Sequence, residues 1–425
     1  MTDRAVSYPP GPMAATVAVP GDKSLSHRAL LLGSMAEGRS RATGLGPGAD
    51  VVATAEAMRA MGIAIDAGWI DSPGIAGWTD PGRPLDCANS GTTIRLLTGA
   101  LSGRPFATTL SGDTALRRRP MRRLVAPLAA LGADIGVKEP QGTAPVTVRP
   151  VDGLHGASVL IELPSAQLRS AVELAALQAV GSTVVRSPEG YRDHTERWLA
   201  ALGRGAFAGP GTFRVDPGPV PVAEYRIPGD PSSAAIRWAA AALRSGATVT
   251  TPNVSLNPGR IGFLQILESF GAGVGAEVTG SVLGEPVGSV TVTGRGLFAV
   301  DVPPLLAAVA MDELILVGVL GAVAEGVTVV RGAAELRTKE SDRITGTVDL
   351  VRGLGGGAEP TDDGFAVVGV GRLDAGAVQA RGDHRLAMAA AVAALAVDGT
   401  VVIEGAEAAG VSWPRFYDVM EGLWS

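Results

Sequence analysis

Polar clusters and apolar runs alternate along this chain in one recurring rhythm. Six times a short polar group leads into an Ala/Leu-rich run, a glycine follows, and a β-branched stretch comes next. The six are Ser26–Leu30 to Gly38, Ser90–Arg95 to Gly103, Ser165–Gln167 to Gly181, Ser232–Ala234 to Gly246, Met311–Leu314 to Gly326 and Asp383–Leu386 to Gly399. Runs such as Ala234–Leu243 and Leu386–Val397 are apolar nearly all round, which predicts helices buried on most sides. Val184-Val185, Ala247–Thr250, Val327–Val330 and Thr400–Ile403 are predicted as the strands that follow, with Pro145–Val148 and Ser289–Val292 adding further strands. The expected fold is α/β and built of repeats, each with helices packed under a small sheet. Each polar cluster falls where a helix begins. There unpaired N–H groups and the positive dipole end favour anions.

At 425 residues the chain fits two domains of about 200 residues each. Three repeats precede the Gly/Pro-dense Gly209–Pro221, a candidate linker, and three follow it, which places a boundary near Tyr225. Polar helix starts facing one another across such a boundary would form a ligand cleft. The net charge of −6 argues against a nucleic-acid surface, so an anion site here would be a local basic pocket. Cys87 is the single cysteine, which excludes an internal disulfide and suits a reducing cytoplasm; it is expected as buried filler beside a strand end. Met1–Pro12 lacks the apolar segment of a signal peptide. Leu305–Ala324 is apolar enough for a membrane but carries Asp312 and Glu313 in its middle, so it is expected to be a buried helix whose start those carboxylates mark.

Several strings carry chemistry. Pro20–Arg28 puts Lys23, Ser24, Ser26 and Arg28 on a turn leading into a helix, although a solvated cap accounts for it equally well. In Asn89–Arg95, Gly91 amid hydroxyls lets a ligand oxygen approach the backbone. Arg117–Arg123 holds five arginines in seven positions, most of them expected on a wet face. Glu335–Arg343 alternates acids and bases after a strand, and Asp383-His384-Arg385 opens the last helix, where Asp383 also reads as a plain cap. No metal-ligand spacing, nucleophile elbow or dinucleotide fingerprint stands out, and no cofactor is expected. What remains is Lys23, Arg28, Arg119, Lys339, Arg343 and Arg385 as anion binders, with Asp312 and Glu340 among them. Cations around one or two acids fit acid–base transfer of a small anionic group.

Nine strings in order (PGDKSLSHRALLLG, NSGTTIRLL, RRRPM, SAQLRSA, RDHTE, PGDPSSAA, NPGR, ELRTKESDRI and DHRLAMA) make the chain resemble the 5-enolpyruvylshikimate-3-phosphate synthase family over nearly its whole length. The resemblance implies a cytoplasmic monomer of two lobes, each three βαβαββ-type units: residues 21–225, and residues 226–425 with 1–20. It implies two small-molecule partners, phosphoenolpyruvate and shikimate 3-phosphate, with no nucleic acid, membrane, metal or cofactor. The reaction implied is enolpyruvyl transfer to the 5-hydroxyl of shikimate 3-phosphate with release of phosphate, a step of aromatic amino-acid biosynthesis.

By the same resemblance Lys23 contacts both substrates, while Ser24 and Arg28 hold the shikimate carboxylate side. Ser165, Ala166 and Gln167 bind the ring and its phosphate with Lys339. Gly91, Arg119, Gln167, Arg343, His384 and Arg385 hold phosphoenolpyruvate. Asp312 accepts the hydroxyl proton and Glu340 protonates the methylene carbon. The pattern departs from many members at three places. Tyr191 stands where they have serine, Val411 where they have lysine, and Glu335 where some have asparagine. These departures leave open a paralogue acting on another shikimate-like cyclitol acid, or a non-catalytic anion-binding homologue. Asp312 and Glu340 speak against the latter, because a pure anion binder gains nothing from carboxylates. The UDP-N-acetylglucosamine enolpyruvyltransferase family shares fold and donor, but carries a Lys-Asn pair where Lys23-Ser24 stands, and its cysteine lies in the arginine-rich loop.

Overall fold

The six expected helix starts are all present in the computed structural model, which describes residues 2–9, 11 and 13–422. The helices used below are α1 (Lys23–Met35), α2 (Ala49–Ala60), α3 (Gly91–Leu101), α4 (Ala166–Ala176), α5 (His194–Ala201), α6 (Pro231–Ala242), α7 (Leu314–Val323), α8 (Arg343–Gly353) and α9 (His384–Ala393). Side chains of Asp22, Ser90, Ser165, Asp230, Asp342 and Asp383 cap α1, α3, α4, α6, α8 and α9 by accepting from backbone N–H groups of the first turn. The Leu305–Ala324 stretch divides in two. Pro304–Val309 forms its own short helix, and α7 begins behind Glu313, so the carboxylates do mark a helix start. Among the described residues no helix is long and apolar enough to cross a membrane.

Each of the six repeats places its strand inside a small sheet. The strands are Glu37–Thr43, Thr108–Ser111, Thr183–Arg186, Thr248–Ser255, Val327–Val330 and Val401–Glu404. In every case a short strand from elsewhere pairs parallel on one side and an antiparallel strand lies on the other. Five of the six sheets have four strands, and the last has three. The repeated order confirms the α/β repeat reading.

Two compact units result. One comprises Gly21–Ile227 with Ser281–Glu285, here the first unit; the other comprises Met1–Pro20, Pro228–Gly280 and Pro286–Ser425, here the second. Each has its own apolar core. Gly209–Pro221 is not a linker. It holds a hairpin end, where Gly205–Gly209 pairs with Thr212–Val215, and its glycines and prolines serve that turn and the following loop. Gly and Pro mark tight turns as readily as linkers.

Within the first unit α3 and α4 pack backbone to backbone. A Cβ on Gly99 would lie 2.0 Å from the Ala171 carbonyl oxygen, so only glycine allows this approach. The contact brings Thr92 and Arg95 on α3 beside Gln167 on α4.

Candidate active site

The first unit gathers its predicted residues on three helix starts. Lys23 and Ser24 occupy the first turn of α1, and Lys23 Nζ lies 3.0 Å from Asp50 Oδ2 in the first turn of α2. Arg28, one turn further, is buried. Its Nε donates to Thr195 Oγ1 at 2.7 Å, Nη2 to Ser170 Oγ at 2.8 Å and Nη1 to the Ser24 carbonyl at 3.0 Å. Burial lowers its pKa, while Glu196, Asp22, Glu173 and Glu285 act to keep the charge.

At the start of α3, Gly91 lies under two guanidinium groups. A Cβ there would meet Arg119 Nη1 at 2.5 Å and Arg95 Nη1 at 2.8 Å. Glycine therefore admits two arginines to one helix N-terminus, where cations and backbone N–H groups together favour an anion. Gln167 joins them: its Oε1 accepts from Arg95 Nη1 at 2.5 Å and its Nε2 donates to Thr92 Oγ1 at 3.0 Å. Ser165 and Ala166 form the start of α4 beside it. Arg117, Arg118 and Arg122 are exposed, as expected of most of that run.

A buried hydroxyl chain lies behind this group. His27 Nδ1 meets Thr54 Oγ1 at 2.7 Å, Thr54 meets Thr93 Oγ1 at 2.7 Å, and Thr93 donates to Ser90 Oγ at 2.7 Å. Burial, with smaller contributions from Lys23 and Arg28 and against Asp50, pulls the His27 pKa down to about 3, so the ring is neutral at working pH.

The second unit gathers acids around one guanidinium. Arg343 opens α8 and is 1% exposed. Its Nε pairs with Asp383 Oδ2 at 2.8 Å, Nη2 with Glu340 Oε2 at 2.6 Å and Nη1 with Asp312 Oδ1 at 3.2 Å. Burial opposes the charge but is overcome by Asp383, Glu340 and Asp312, which raise the Arg343 pKa above its ordinary value. The same pairing, aided by His384, holds the Asp383 carboxyl below the usual range against its own burial. Asp383 also caps α9 through the Arg385 N–H at 2.9 Å, so the plain-cap reading and the buried ion pair are both correct.

Arg385 Nη1 donates to the Asp312 carbonyl at 3.1 Å and lies 3.6 Å from Glu313 Oε1. Glu313 accepts in turn from Ser232, and Arg260 Nη2 donates to Ser232 Oγ and Asp230 Oδ1, both at 2.9 Å. The PGDPSSAA and NPGR strings thus build a buried support behind Asp312 and Arg385. Lys339 stands 3.9 Å from Glu335, at the limit of an ion pair.

Sequence reasoning did not assign Asp50, Arg95, Thr195, Ser170 or Glu313 to the site. Arg95, Ser170 and Thr195 lie within the NSGTTIRLL, SAQLRSA and RDHTE strings and Glu313 beside Asp312, so position in those strings is the available signal; Asp50 has none beyond residue type. At the departures, Tyr191 lies with its ring 4.1 Å beneath the Arg169 guanidinium. Val411 ends a short helical turn, and Trp413 beside it stacks 5.1 Å from the buried Arg237 guanidinium. Among the described residues no group of three or more His, Cys, Asp or Glu is placed to hold a metal ion.

A sequence model of EPSP synthase (3-phosphoshikimate 1-carboxyvinyltransferase) matches residues 7–420. The chain belongs to the EPSP synthase family. It is 40% identical to 3-phosphoshikimate 1-carboxyvinyltransferase of Herpetosiphon aurantiacus, over 95% of this chain and 96% of that one. The relative of the same name from Halorhodospira halophila is 41% identical over 98% and 95%. The EPSP synthase structure from Acinetobacter baumannii superposes with a TM-score of 0.88 at 35% identity, covering 99% of this chain and 98% of that one. The enolpyruvyl transferase NikO from Streptomyces tendae, 17% identical with a TM-score of 0.78, shares the fold.

Proposed function

We propose that this EPSP synthase family member transfers the enolpyruvyl group of phosphoenolpyruvate to the 5-hydroxyl of shikimate 3-phosphate and releases inorganic phosphate. The observation that carries the chemistry is the attachment of Asp312 and Glu340 to the same Arg343 guanidinium. In this reading Asp312 takes the hydroxyl proton as that oxygen bonds to C2 of phosphoenolpyruvate. Glu340 delivers a proton to the methylene carbon, giving a tetrahedral intermediate with a methyl group. Return of a methyl proton to the Glu340 carboxylate then restores the double bond as the C2–O bond to phosphate breaks, and the leaving phosphate takes up the proton held by Asp312. Arg343 holds both acids in place through each transfer.

Binding divides by chemistry. Lys23 serves both substrates, and Ser24 and Arg28 take the acceptor's carboxylate side. Ser165, Ala166, Gln167 and Lys339 take its ring and phosphate. Gly91, Arg119, Arg385 and His384 take phosphoenolpyruvate together with Gln167 and Arg343, and Arg95 joins them because it shares the Gly91 surface. Cations fixed before substrate arrives offset the developing charge without reorganisation. The burial of Cys87, which pushes its thiol pKa up, supports a structural role for it; the family resemblance is what supports placing the protein in the cytoplasm as a monomer.

The test is phosphate release from phosphoenolpyruvate by purified protein. Release that requires shikimate 3-phosphate supports the assignment. Release only with unphosphorylated shikimate or another cyclitol acid moves it to a paralogue, where Tyr191 is the residue to examine. No release with any of these acceptors removes the enzyme reading.

A further inference from the structure

Three consecutive residues at the start of α5 organise the polar interior of the first unit. His194 Nδ1 meets Glu285 Oε1 at 2.5 Å, Thr195 Oγ1 accepts from Arg28 Nε at 2.7 Å, and Glu196 Oε1 accepts from Arg169 Nε at 2.6 Å. All of these side chains are at most 4% exposed. One helical turn therefore links Arg28 on α1 with a carboxylate that lies 91 residues beyond His194.

Glu285 follows the hairpin turn Leu283-Gly284, whose two residues have φ of 49° and 79°. Two successive positive φ values make the tight two-residue turn that fixes strand register. Leu283 packs against the apolar core of the first unit, and the Gly284 carbonyl accepts from Arg197 Nη1 at 3.1 Å. Three successive residues thus fix the turn, Leu283 by an apolar contact with the core of the first unit, Gly284 by a backbone bond to α5 and Glu285 by a buried carboxylate bonded to α5. A wholly buried carboxylate is costly unless it is paired, and a charge-assisted bond to imidazole is short and directional. It fixes the His194 ring and, with it, the turn of helix from which Thr195 orients Arg28. Glu285 also helps Arg28 stay charged against its burial.

We propose that Glu285, acting through His194, is a positioning residue that sets Arg28 for the anionic acceptor without touching it. The proposal rests on the reading above that Arg28 holds the carboxylate side of shikimate 3-phosphate. It implies that an element far along the chain governs affinity for one substrate and leaves the other alone.

The experiment compares Glu285→Gln with wild type in the full-length protein, measuring KM for each substrate, kcat and Tm. Glu285→Gln is expected to raise KM for shikimate 3-phosphate by about tenfold, as for loss of one charged hydrogen bond, with KM for phosphoenolpyruvate and kcat within about twofold. Equal rises in both KM values, or no rise, would overturn the proposal, since a merely structural loss does not select one substrate. If Glu285→Gln does not fold, the pair His194→Asn and His194→Leu decides. Asn keeps a donor near Nδ1 and is expected to hold the acceptor KM within about threefold, while Leu should raise it about tenfold; equal effects of the two would sink the idea. Arg28→Lys separates the premises. If acceptor affinity by calorimetry is unchanged in Arg28→Lys, the assignment of Arg28 is wrong whatever Glu285 does.

Discussion

A methyl group on Gly91 would lie 2.5 Å from Nη1 of Arg119. The obstacle is the end of a flexible side chain, so Gly91→Ala is expected to fold with Tm close to wild type while displacing Arg119 and Arg95. KM for phosphoenolpyruvate should rise about tenfold or more with the acceptor KM little changed, as for a lost charge-assisted contact. Gly99→Ala is the contrast. There the obstacle is the Ala171 backbone, and stability should fall by about 1–3 kcal/mol in urea titrations. If Gly91→Ala were the less stable of the two, this division of roles would be wrong.

Glu340→Gln keeps shape and a hydrogen-bond acceptor for Arg343 but cannot supply a proton. We expect kcat to drop by ~10²-fold or more, with both substrates still bound by calorimetry. An undiminished turnover would exclude Glu340 as the acid.

Asp383 is wholly buried against Arg343. Asp383→Asn leaves that guanidinium with less compensation and is expected to cost about 3–5 kcal/mol at pH 7. Because the Asp383 pKa is depressed in the folded state, its contribution is present above the ordinary carboxylate pKa of about 4 and fades as pH falls through the lower folded value. The stability gap between wild type and variant should therefore narrow in acid; a gap that widened below pH 4 would contradict the assignment.

His27 acts in the same direction over a higher pH window. Its folded pKa of about 3 lies below the ordinary 6.5, so the unfolded chain takes up the proton first. Stability is lost as pH falls from 6.5 toward 3, by about 1.4 kcal/mol per unit. Relative to His27→Asn, wild type should lose roughly 2 kcal/mol between pH 7 and pH 5 in denaturant midpoints. A difference independent of pH would show that the imidazole is charged in the fold.

The architecture was legible because each repeat announces itself locally. Ser90, Ser165 and Asp383 are recognisable caps, and the apolar runs behind them have no wet face. Gly209–Pro221 misled because a loop and a domain linker share the same composition. Within the site, Lys23, Gly91, Gln167 and Arg343 sit in polar strings at helix starts, where a reader can find them. Asp50 and Glu285 could not be found that way. Each is one polar residue in an otherwise ordinary segment, and its partner lies 27 or 91 positions away. Thr195 stands in the RDHTE string, but its partner Arg28 lies 167 positions away and nothing local names it. Only folding supplies that adjacency.

Strands paired across long stretches of sequence set a timetable for biosynthesis. Arg4–Val6 pairs with Val401–Glu404, and Ala14–Thr16 with Thr248–Ser255, so segments made early wait for partners hundreds of codons downstream. Glu37–Thr43 waits likewise for Glu224–Arg226. On the ribosome these β-prone stretches stay uncovered for tens of seconds at ordinary translation rates, an interval in which chaperone capture competes with aggregation.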